Sequence, residues 1–314
     1  MTAPGAGRRQ RPGLGIALVV VMAACFATMD NTVRWLGAAA LPVLLLLTLR
    51  YAFQALAMTV WLAVDPKHGF RSAHPRFQAL RGALLLATSG FSFYGVQAMP
   101  VPEFTAINML TPVLVTLLAG WFLGERVSRL RWLLVIGAFV GALIVIRPGS
   151  GVFGWAVLFP LAGAVCYASF QVLTSRMAAL ENPFTTHFWT GFTGTAILLP
   201  LLAAAPLDVA GALAAATPSQ WALIAFVGLL GTAGHLLLIL AMGMAPTATL
   251  MPFVYTQIGA AALVGWLVFR HLPDGWAWVG MAVIAACGAT SAWLNLRGAA
   301  PKPASAVGAD TIAD

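Results

Sequence analysis

Residues 103–147 read EFTAINMLTPVLVTLLAGWFLGERVSRLRWLLVIGAFVGALIVIR, two apolar segments joined by a short basic link. The first segment carries Asn108, Thr111 and the helix-breaking Pro112 in the middle of a lipid-soluble run. Because the core of a bilayer offers no water, each polar atom at that depth needs a partner inside the protein. The stretch therefore predicts two membrane-spanning helices, the first of which lines a cavity.

The composition of the whole chain is that of a membrane protein. Hydrophobic residues make up 61% and charged residues 8% of the 314 residues, whereas a soluble domain is roughly half apolar and a quarter charged. Ten apolar runs have lengths near the roughly 17–25 residues that span a bilayer. They are Leu14–Gly37, Pro42–Val64, Gly82–Ala98, Glu103–Leu123, Trp132–Ile146, Phe153–Thr174, Thr186–Ala205, Trp221–Leu240, Thr247–Phe269 and Trp276–Leu296. We therefore predict an all-α integral membrane protein with ten transmembrane helices.

The basic residues predict the orientation of the chain in the membrane. With the amino end inside, the inner links receive Arg8, Arg9, Arg11, Lys67, Arg71, Arg76, Arg81, Arg126, Arg129, Arg131, Arg176, Arg297 and Lys302. The outer links receive only Arg34, Arg147 and Arg270. The positive-inside rule then places both termini in the cytoplasm and the protein in the inner (plasma) membrane. No Lys/Arg block is interleaved with aromatic residues, so the net charge of +8 indicates contact with lipid rather than with nucleic acid.

An internal repeat divides the chain into two halves. Residues Cys25–Asp30 (CFATMD) align with Cys166–Gln171 (CYASFQ). Because each half holds five spans, the second enters the membrane from the opposite side, which is the inverted-repeat arrangement of many secondary transporters. The predicted units are a cytoplasmic tail (1–13), a first five-helix repeat (14–147), a second five-helix repeat (153–297) and a disordered cytoplasmic tail (298–314).

Motifs of other functional classes are missing from the sequence. It has no nucleotide-binding glycine loop, no H-E-x-x-H and no G-x-S-x-G. Cys25, Cys166 and Cys287 show no C-x-x-C spacing, so neither a metal site nor a disulfide frame is expected. We therefore expect no catalytic residues, no cofactor and no bound metal. The alternative, an intramembrane enzyme or a membrane-embedded sensor, requires either a cluster of titratable side chains inside the spans or a folded soluble domain.

The chain resembles the EamA type of drug/metabolite transporter from Leu14 to Arg297. The motifs that carry the likeness are Arg50, Tyr94, Leu110-Thr111-Pro112 and Leu123-Gly124-Glu125-Arg126 in the first half. In the second half, Tyr255-Thr256-Gln257 and Phe269-Arg270-His271 replace the two longer motifs. The resemblance implies a ten-helix inner-membrane carrier whose central cavity is lined mainly by spans 1, 3, 4, 6, 8 and 9. It does not imply one substrate, because the family is chemically broad.

We expect the cavity to bind a small polar or amphipathic metabolite and to move it by alternating access. The candidate substrate-binding residues are Asp30, Arg50, Tyr94, Asn108, Thr111, Tyr167, Gln171, His235, Tyr255 and Gln257. Polar groups of both charges among aromatic rings suit an amino-acid-like zwitterion. His235 is the candidate for proton coupling, since histidine titrates near neutral pH; the alternatives are exchange of one solute for another and a neutral histidine that only joins two helices.

Two further expectations concern contacts between helices. Asp30 precedes the outer end of the first span by seven residues and Arg50 follows the start of the second by eight, so both lie roughly 10–12 Å below the outer surface. We therefore predict an Asp30–Arg50 ion pair, with Arg34 as the rival partner because it lies one turn from Asp30. Gly137-x-x-x-Gly141 permits close helix contact, either within one chain or between two subunits, and leaves the oligomeric state open.

Overall fold

The regular structure of the described residues consists of helices only. A computed structural model describes residues 11–39, 41–65, 69–111, 113–115, 118, 129–147, 153–177, 180–242, 244, 250 and 253–298. The helices are α1 (Pro12–Ala38), α2 (Val43–Val64), α3 (Pro75–Ala98), α4 (Val101–Asn108), α5 (Arg129–Ile146), α6 (Leu158–Met177), α7 (Pro183–Ala204), α8 (Val209–Ala215), α9 (Pro218–Met242), α10 (Thr256–Phe269) and α11 (Gly275–Gly298), with a 3₁₀ turn at Gly154–Val157 before α6.

Several helices have the length and apolar composition to cross a membrane. Five segments do so by length and composition alone: Pro12–Ala38, Val43–Val64, Gly154–Thr174, Pro183–Ala204 and Pro218–Ala241. The prediction of an all-α membrane protein with multiple spans is confirmed, whereas the number ten stays a prediction. The short helix α8 lies outside the predicted spans and follows the end of α7. Because this extra helix takes a number, the eighth predicted span corresponds to α9 and the ninth to α10.

Proline residues set the beginning of three long helices. Pro12, Pro75 and Pro183 each lie in the first turn of α1, α3 and α7, where the fixed φ of proline fits a helix and its missing N–H is not needed. As a result α3 begins seven residues before the apolar run that starts at Gly82. Arg81, which the sequence placed in an inner link, therefore lies in the second turn of a helix, and its side chain is buried.

The packing of the helices repeats itself when the two halves are exchanged. Helix α1 packs against α9 and α10, and the corresponding helix of the second half, α6, packs against α3 and α4. Helix α2 packs against α9, and its counterpart α7 packs against α3. In the contacts α2–α7 and α5–α11, each helix packs against its own counterpart in the other half. This pattern is what a two-fold axis between two repeats requires.

Glycine residues allow two of these helix pairs to approach closely. A Cβ atom at Gly191 of α7 would lie 2.8 Å from the backbone nitrogen of Ala55 in α2. A Cβ atom at Gly280 of α11 would lie 2.6 Å from the carbonyl oxygen of Gly141 in α5. The contact predicted for Gly137-x-x-x-Gly141 is therefore made within the chain, between the last helices of the two repeats.

Candidate functional site

A central cavity lies between the two halves of the bundle. Its volume is about 60 Å³. It is lined by Phe26, Met29, Asp30, Leu85, Thr88, Ser89, Ser92, Phe93, Asn108, Met109, Tyr167, His235 and Gln257. These residues come from α1, α3, α4 with the residue after it, α6, α9 and α10, which are the six spans implied by the family resemblance. We call this space the main cavity.

Five of the ten candidate binding residues meet in the main cavity. Asp30 and Asn108 come from the first half, and Tyr167, His235 and Gln257 come from the second. The Oδ1 atom of Asn108 is buried without a hydrogen-bond partner. A polar atom in that position is costly unless a ligand or water satisfies it. The two halves therefore contribute jointly to one polar site.

A second, smaller cavity adjoins the first. It is lined by Arg81, Leu85, Phe170, Gln171, Thr174, His187, Thr190, His235, Leu238 and Ile239, and we call it the Arg81 cavity. Leu85 and His235 border both cavities. Of the candidate residues, Gln171 lies here together with His235. Arg81 and His187 were not among the candidates that the sequence suggested.

Asp30 and Arg50 do not form the predicted ion pair. Asp30 accepts a hydrogen bond from the Ser92 hydroxyl at 3.1 Å, and Arg50 Nη2 donates to the Ser89 hydroxyl at 2.7 Å. The guanidinium also lies over the Tyr51 ring, 4.1 Å from its centroid. Ser89 and Ser92 are neighbours on one face of α3, so this helix separates the two charges with one hydroxyl for each.

Arg34, the rival partner, turns away from Asp30. It donates to the carbonyl oxygens of Val96, at 3.1 Å, and Met99. Its guanidinium also lies 5.4 Å from the centroid of the Phe269 ring. Arg34 therefore binds the carboxyl end of α3, where a cation donates hydrogen bonds to free carbonyl groups and interacts favourably with the helix dipole.

The remaining candidates lie outside both cavities. The Thr111 hydroxyl donates to the carbonyl of Asn108 at 2.7 Å, a local bond within the same segment. Tyr94 is 43% exposed on the surface of the bundle. Tyr255 is buried against Gly288 of α11. Pro112 and Leu123–Arg126, which carry much of the resemblance, lie outside the described residues.

His235 forms the wall between the two cavities. Its Nδ1 lies 2.9 Å from the carbonyl oxygen of Gly231, so Nδ1 carries the proton that is donated. In the neutral ring this leaves Nε2 as an acceptor. The ring packs on Phe26, with 4.7 Å between centroids, and faces the ring of His187 at 6.5 Å. His235 is thus held in a fixed orientation at the junction of the two cavities.

One end of the bundle, which we call the Glu103 end, has a polar contact between the halves at Glu103 and His271, in addition to the Arg147–Asp274 ion pair and the approach of Arg34 to the Phe269 ring. Glu103 Oε1 lies 3.0 Å from His271 Nε2, and Glu103 Oε2 has no hydrogen-bond partner. The Glu103 side chain is only 5% exposed. A space of about 320 Å³ lies beside this contact and includes Arg34 and Phe269 in its lining.

The opposite end, which we call the Glu181 end, is closed by several contacts. Glu181 Oε1 accepts from the Ser72 hydroxyl at 2.6 Å, from the His74 backbone N–H at 3.0 Å, and lies 3.3 Å from His74 Nδ1. Thr185 and Trp189 of α7 also donate to carbonyl groups of the 65–74 link. Burial raises the pKa of the Glu181 carboxyl, but hydrogen bonds led by Ser72 and His74 outweigh it and hold the pKa below its usual range.

Comparison with known proteins agrees with the resemblance seen in the sequence. The EamA-like transporter family matches residues 13–147 and 154–290. A riboflavin transporter of Rhizobium johnstonii is 33% identical over 190 residues, which cover 60% of this chain and 61% of the relative. An S-adenosylmethionine uptake transporter of Rickettsia bellii is 25% identical over 228 residues, which cover 72% of this chain and 75% of the relative. A crystal structure with 18% identity superposes with a TM-score of 0.63 over 90% of this chain and 99% of its own, which shows the fold alone.

Proposed function

Since the chain belongs to the EamA-like transporter family, we propose that it is a secondary transporter that moves a small polar or amphipathic metabolite across the inner membrane by alternating access. The observation that carries the proposal is the main cavity, where polar side chains from both halves meet in the middle of the bundle. A site between inverted repeats is where such carriers bind their cargo. The riboflavin and S-adenosylmethionine transporters among the relatives support a small-molecule cargo.

The dimensions of the main cavity support a change of shape during transport. Its volume of about 60 Å³ is far below the roughly 300–1,000 Å³ of pockets that hold a small molecule. The halves must therefore separate to admit cargo. Because they are joined at the Glu103 end and at the Glu181 end, separation at one end while the other stays closed gives the cargo access to one side at a time.

An amino-acid-like cargo fits the groups in the main cavity. Asp30 is 4% exposed and makes only the hydrogen bond from Ser92, so its carboxylate can accept further donors. An ammonium group is the natural partner of such a carboxylate. The unsatisfied Asn108 Oδ1 and the amide of Gln257 add uncharged hydrogen-bonding capacity. S-adenosylmethionine carries an ammonium group of this kind, and riboflavin carries many neutral polar groups.

Counterflow in reconstituted vesicles tests the function directly. Vesicles loaded with pools of amino acids, nucleosides, vitamins or organic acids should take up the matching labelled compound, and Asp30→Asn should reduce that uptake by at least about tenfold. Thr59→Val, a change on the exposed side of α2, should leave it unchanged. If no pool supports counterflow by protein that is folded and inserted, the proposal fails.

Proton coupling is proposed to run through His235. The fixed ring at the junction of the two cavities offers Nε2 to a proton, and repeating counterflow under an imposed pH gradient measures the coupling. His235→Gln should retain exchange of cargo but lose the response to the gradient. Unchanged pH dependence in this variant would assign His235 to packing and leave exchange as the mode of transport.

The orientation of the chain is proposed from its basic links. Ser72 lies in the link at the Glu181 end, and Ala210 lies in α8 after the far end of α7. In a background lacking Cys25, Cys166 and Cys287, a cysteine at Ser72 should be shielded from an impermeant thiol reagent in intact cells and one at Ala210 should react. The opposite pattern would reverse the proposed topology.

A further inference from the structure

Arg81 is a fully buried cation without a carboxylate partner among the described residues. Its relative exposure is 0%. The ion pairs between described residues, among them His74–Glu181, Arg147–Asp274 and His271–Glu103, do not include Arg81. An uncompensated charge in an apolar bundle is costly, and such residues in membrane proteins mark functional sites. The charge of Arg81 thus calls for an anion that the described residues do not supply.

Neutral groups hold the guanidinium of Arg81 in one orientation. Nε donates to the Thr174 hydroxyl at 2.9 Å, and Nη1 donates to the Thr190 hydroxyl at 2.9 Å and the Thr186 carbonyl at 3.1 Å. The Phe170 ring covers one face, with its centroid 4.9 Å from Cζ. Nη2 is buried and has no hydrogen-bond partner. One edge of a rigid guanidinium is therefore left for an acceptor from outside the chain.

The Arg81 cavity has the chemistry and size for a single anionic group. Gln171, His187 and Thr190 contribute neutral polar groups to its lining, and no Asp or Glu belongs to that lining. Its volume of about 10 Å³ is close to the space of one water-sized group. It can therefore take one oxygen atom of a carboxylate but not a whole metabolite, whose remainder would extend past His235 into the main cavity.

Arg50 provides a useful contrast, because it is also buried without a carboxylate partner. It borders neither cavity. Its guanidinium lies on the Tyr51 ring, and a Cβ atom at Gly231 would come within 2.8 Å of Nη1, so the facing helix leaves no space beside it. Arg50 is enclosed by protein, whereas Arg81 lies beside open space.

We propose that the Arg81 cavity is an anion subsite that takes a carboxylate of the cargo. Arg81 and Ser92, the hydrogen-bond partner of Asp30, are eleven residues apart on α3, which is about 16 Å along the helix, so a cargo that also reaches Asp30 is longer than a simple amino acid. The inference rests on the proposed transport function and narrows its substrate class to carboxylate-bearing metabolites. An inorganic anion shares the same chemistry, and the two sources are separated by the choice of probe.

Thermal unfolding of the protein in lipid nanodiscs, titrated with sodium formate, tests the subsite. Formate is the smallest carboxylate, formamide is its neutral counterpart of similar size, and sodium chloride supplies an inorganic anion at the same ionic strength. Formate should raise Tm more than chloride, and formamide should have no effect. Arg81→Gln should raise the half-maximal formate concentration by at least about tenfold. Arg76→Gln, an exposed arginine on the same helix, is the matched control and should leave the titration unchanged.

Three outcomes would overturn the subsite. They are a formate response of equal strength in Arg81→Gln, no response to either anion in the wild type, and a chloride response that equals that of formate. If Arg81→Gln does not fold, Gln171→Leu is the second variant, because it removes a polar group from the cavity lining and leaves Arg81 in place. This variant should weaken formate binding about threefold. Unchanged formate binding would count against the proposal. A formate response without counterflow in any pool would refute the transport function but support the anion subsite. Counterflow without a formate response would support the transport function but refute the anion subsite.

Discussion

The Glu103 end and the Glu181 end join the same two halves by unequal means. At the Glu103 end one carboxylate oxygen of Glu103 contacts His271, and its other oxygen is unpaired. At the Glu181 end one carboxylate accepts from Ser72 and His74, and α7 adds two further bonds to the 65–74 link. The Arg147–Asp274 ion pair also lies at the Glu103 end, but it joins α5 to α11, which border neither cavity.

This difference indicates which end opens more easily. Among the described residues beside the cavities, separation at the Glu103 end breaks the Glu103–His271 contact and the approach of Arg34 to the Phe269 ring, next to a space of about 320 Å³. Separation at the Glu181 end breaks a connected set of hydrogen bonds to one carboxylate, and such charge-assisted bonds are about twice as strong as neutral ones. The structure thus predicts that opening at the Glu181 end is the more costly half of the transport cycle, a prediction that can be tested at each end separately.

Locking either end should have the largest effect. Cysteine pairs at Ser72 with Glu181, and at Glu103 with His271, joined by a short bifunctional thiol reagent, should each abolish counterflow because the proposed alternating access requires both ends to open in turn. Single-cysteine variants treated with the same reagent are the controls. Retained transport with one pair fully cross-linked would show that cargo does not pass through that end.

Glu181→Ala should make opening at the Glu181 end easier. Without the carboxylate that accepts from Ser72 and His74, the closed Glu181 end loses about 1–2 kcal/mol of stabilisation, since water can hydrate the partly exposed link. The fraction of molecules that are open at this end should therefore increase roughly tenfold. The measurement is the labelling rate of a cysteine placed at Thr88 in the main cavity, with an impermeant reagent added on the Glu181 side. Glu181→Asp, which keeps a carboxylate, should give an intermediate rate; an unchanged rate in Glu181→Ala would remove Glu181 from the closure.

Glu103→Ala should have the smaller effect on the same readout from the other side. The His271 side chain is 38% exposed, so water screens the contact and its worth falls to about 1 kcal/mol or less, which is a change of roughly threefold to fivefold. Labelling of the Thr88 cysteine from the Glu103 side measures it. A larger change here than in Glu181→Ala would invert the comparison of the two ends.

Acid should weaken the Glu181 end. Because hydrogen bonding overcomes the effect of burial and lowers the pKa of Glu181 in the folded protein, its contribution to stability is complete above the unfolded value of about 4.3 and is lost as pH falls through the folded value. Labelling of the Thr88 cysteine from the Glu181 side, divided by the labelling of free cysteine at the same pH to remove the effect of thiol protonation, should therefore rise by about twofold or more as pH is lowered below about 4. Glu181→Gln should lack this rise, and a rise that persists in this variant would point to another group.

The fold class was predictable because lipid solvation leaves a strong signature. Long apolar runs, proline at helix starts and the Cys25–Asp30 repeat are local features that survive in a single sequence.

The direction in which each helix faces was not predictable in the same way. In a membrane the lipid-facing side is as apolar as the core side, so periodicity does not mark the face that lines a cavity. Tyr94 therefore lies on the exposed surface and Tyr255 turns toward α11, although both occupy plausible positions along the chain. The Asp30–Arg50 pair failed because the hydroxyls of Ser89 and Ser92 lie where the two charges were expected to meet.

Arg81 was missed for a different physical reason. An apolar run marks only the part of a helix that faces hydrocarbon, and α3 begins with polar residues that are buried against the other half instead. The usable signal was Pro75, which predicts a helix start two turns before the apolar run. Extending the helix back to that proline would have placed Arg81 and Gln78 inside the bundle.

The close approach of α5 and α11 makes this pair a fixed reference for measuring the motion of the other helices. Gly141 and Gly280 bring the two backbones into direct contact, with no side chain between them at this point. Fluorescent or spin labels on the outward faces of the pair, at Phe139 and Val279, should keep one distance throughout a transport cycle. Any label elsewhere in the bundle can then be read against this pair, which separates movement of the halves from rotation of the whole protein in the bilayer.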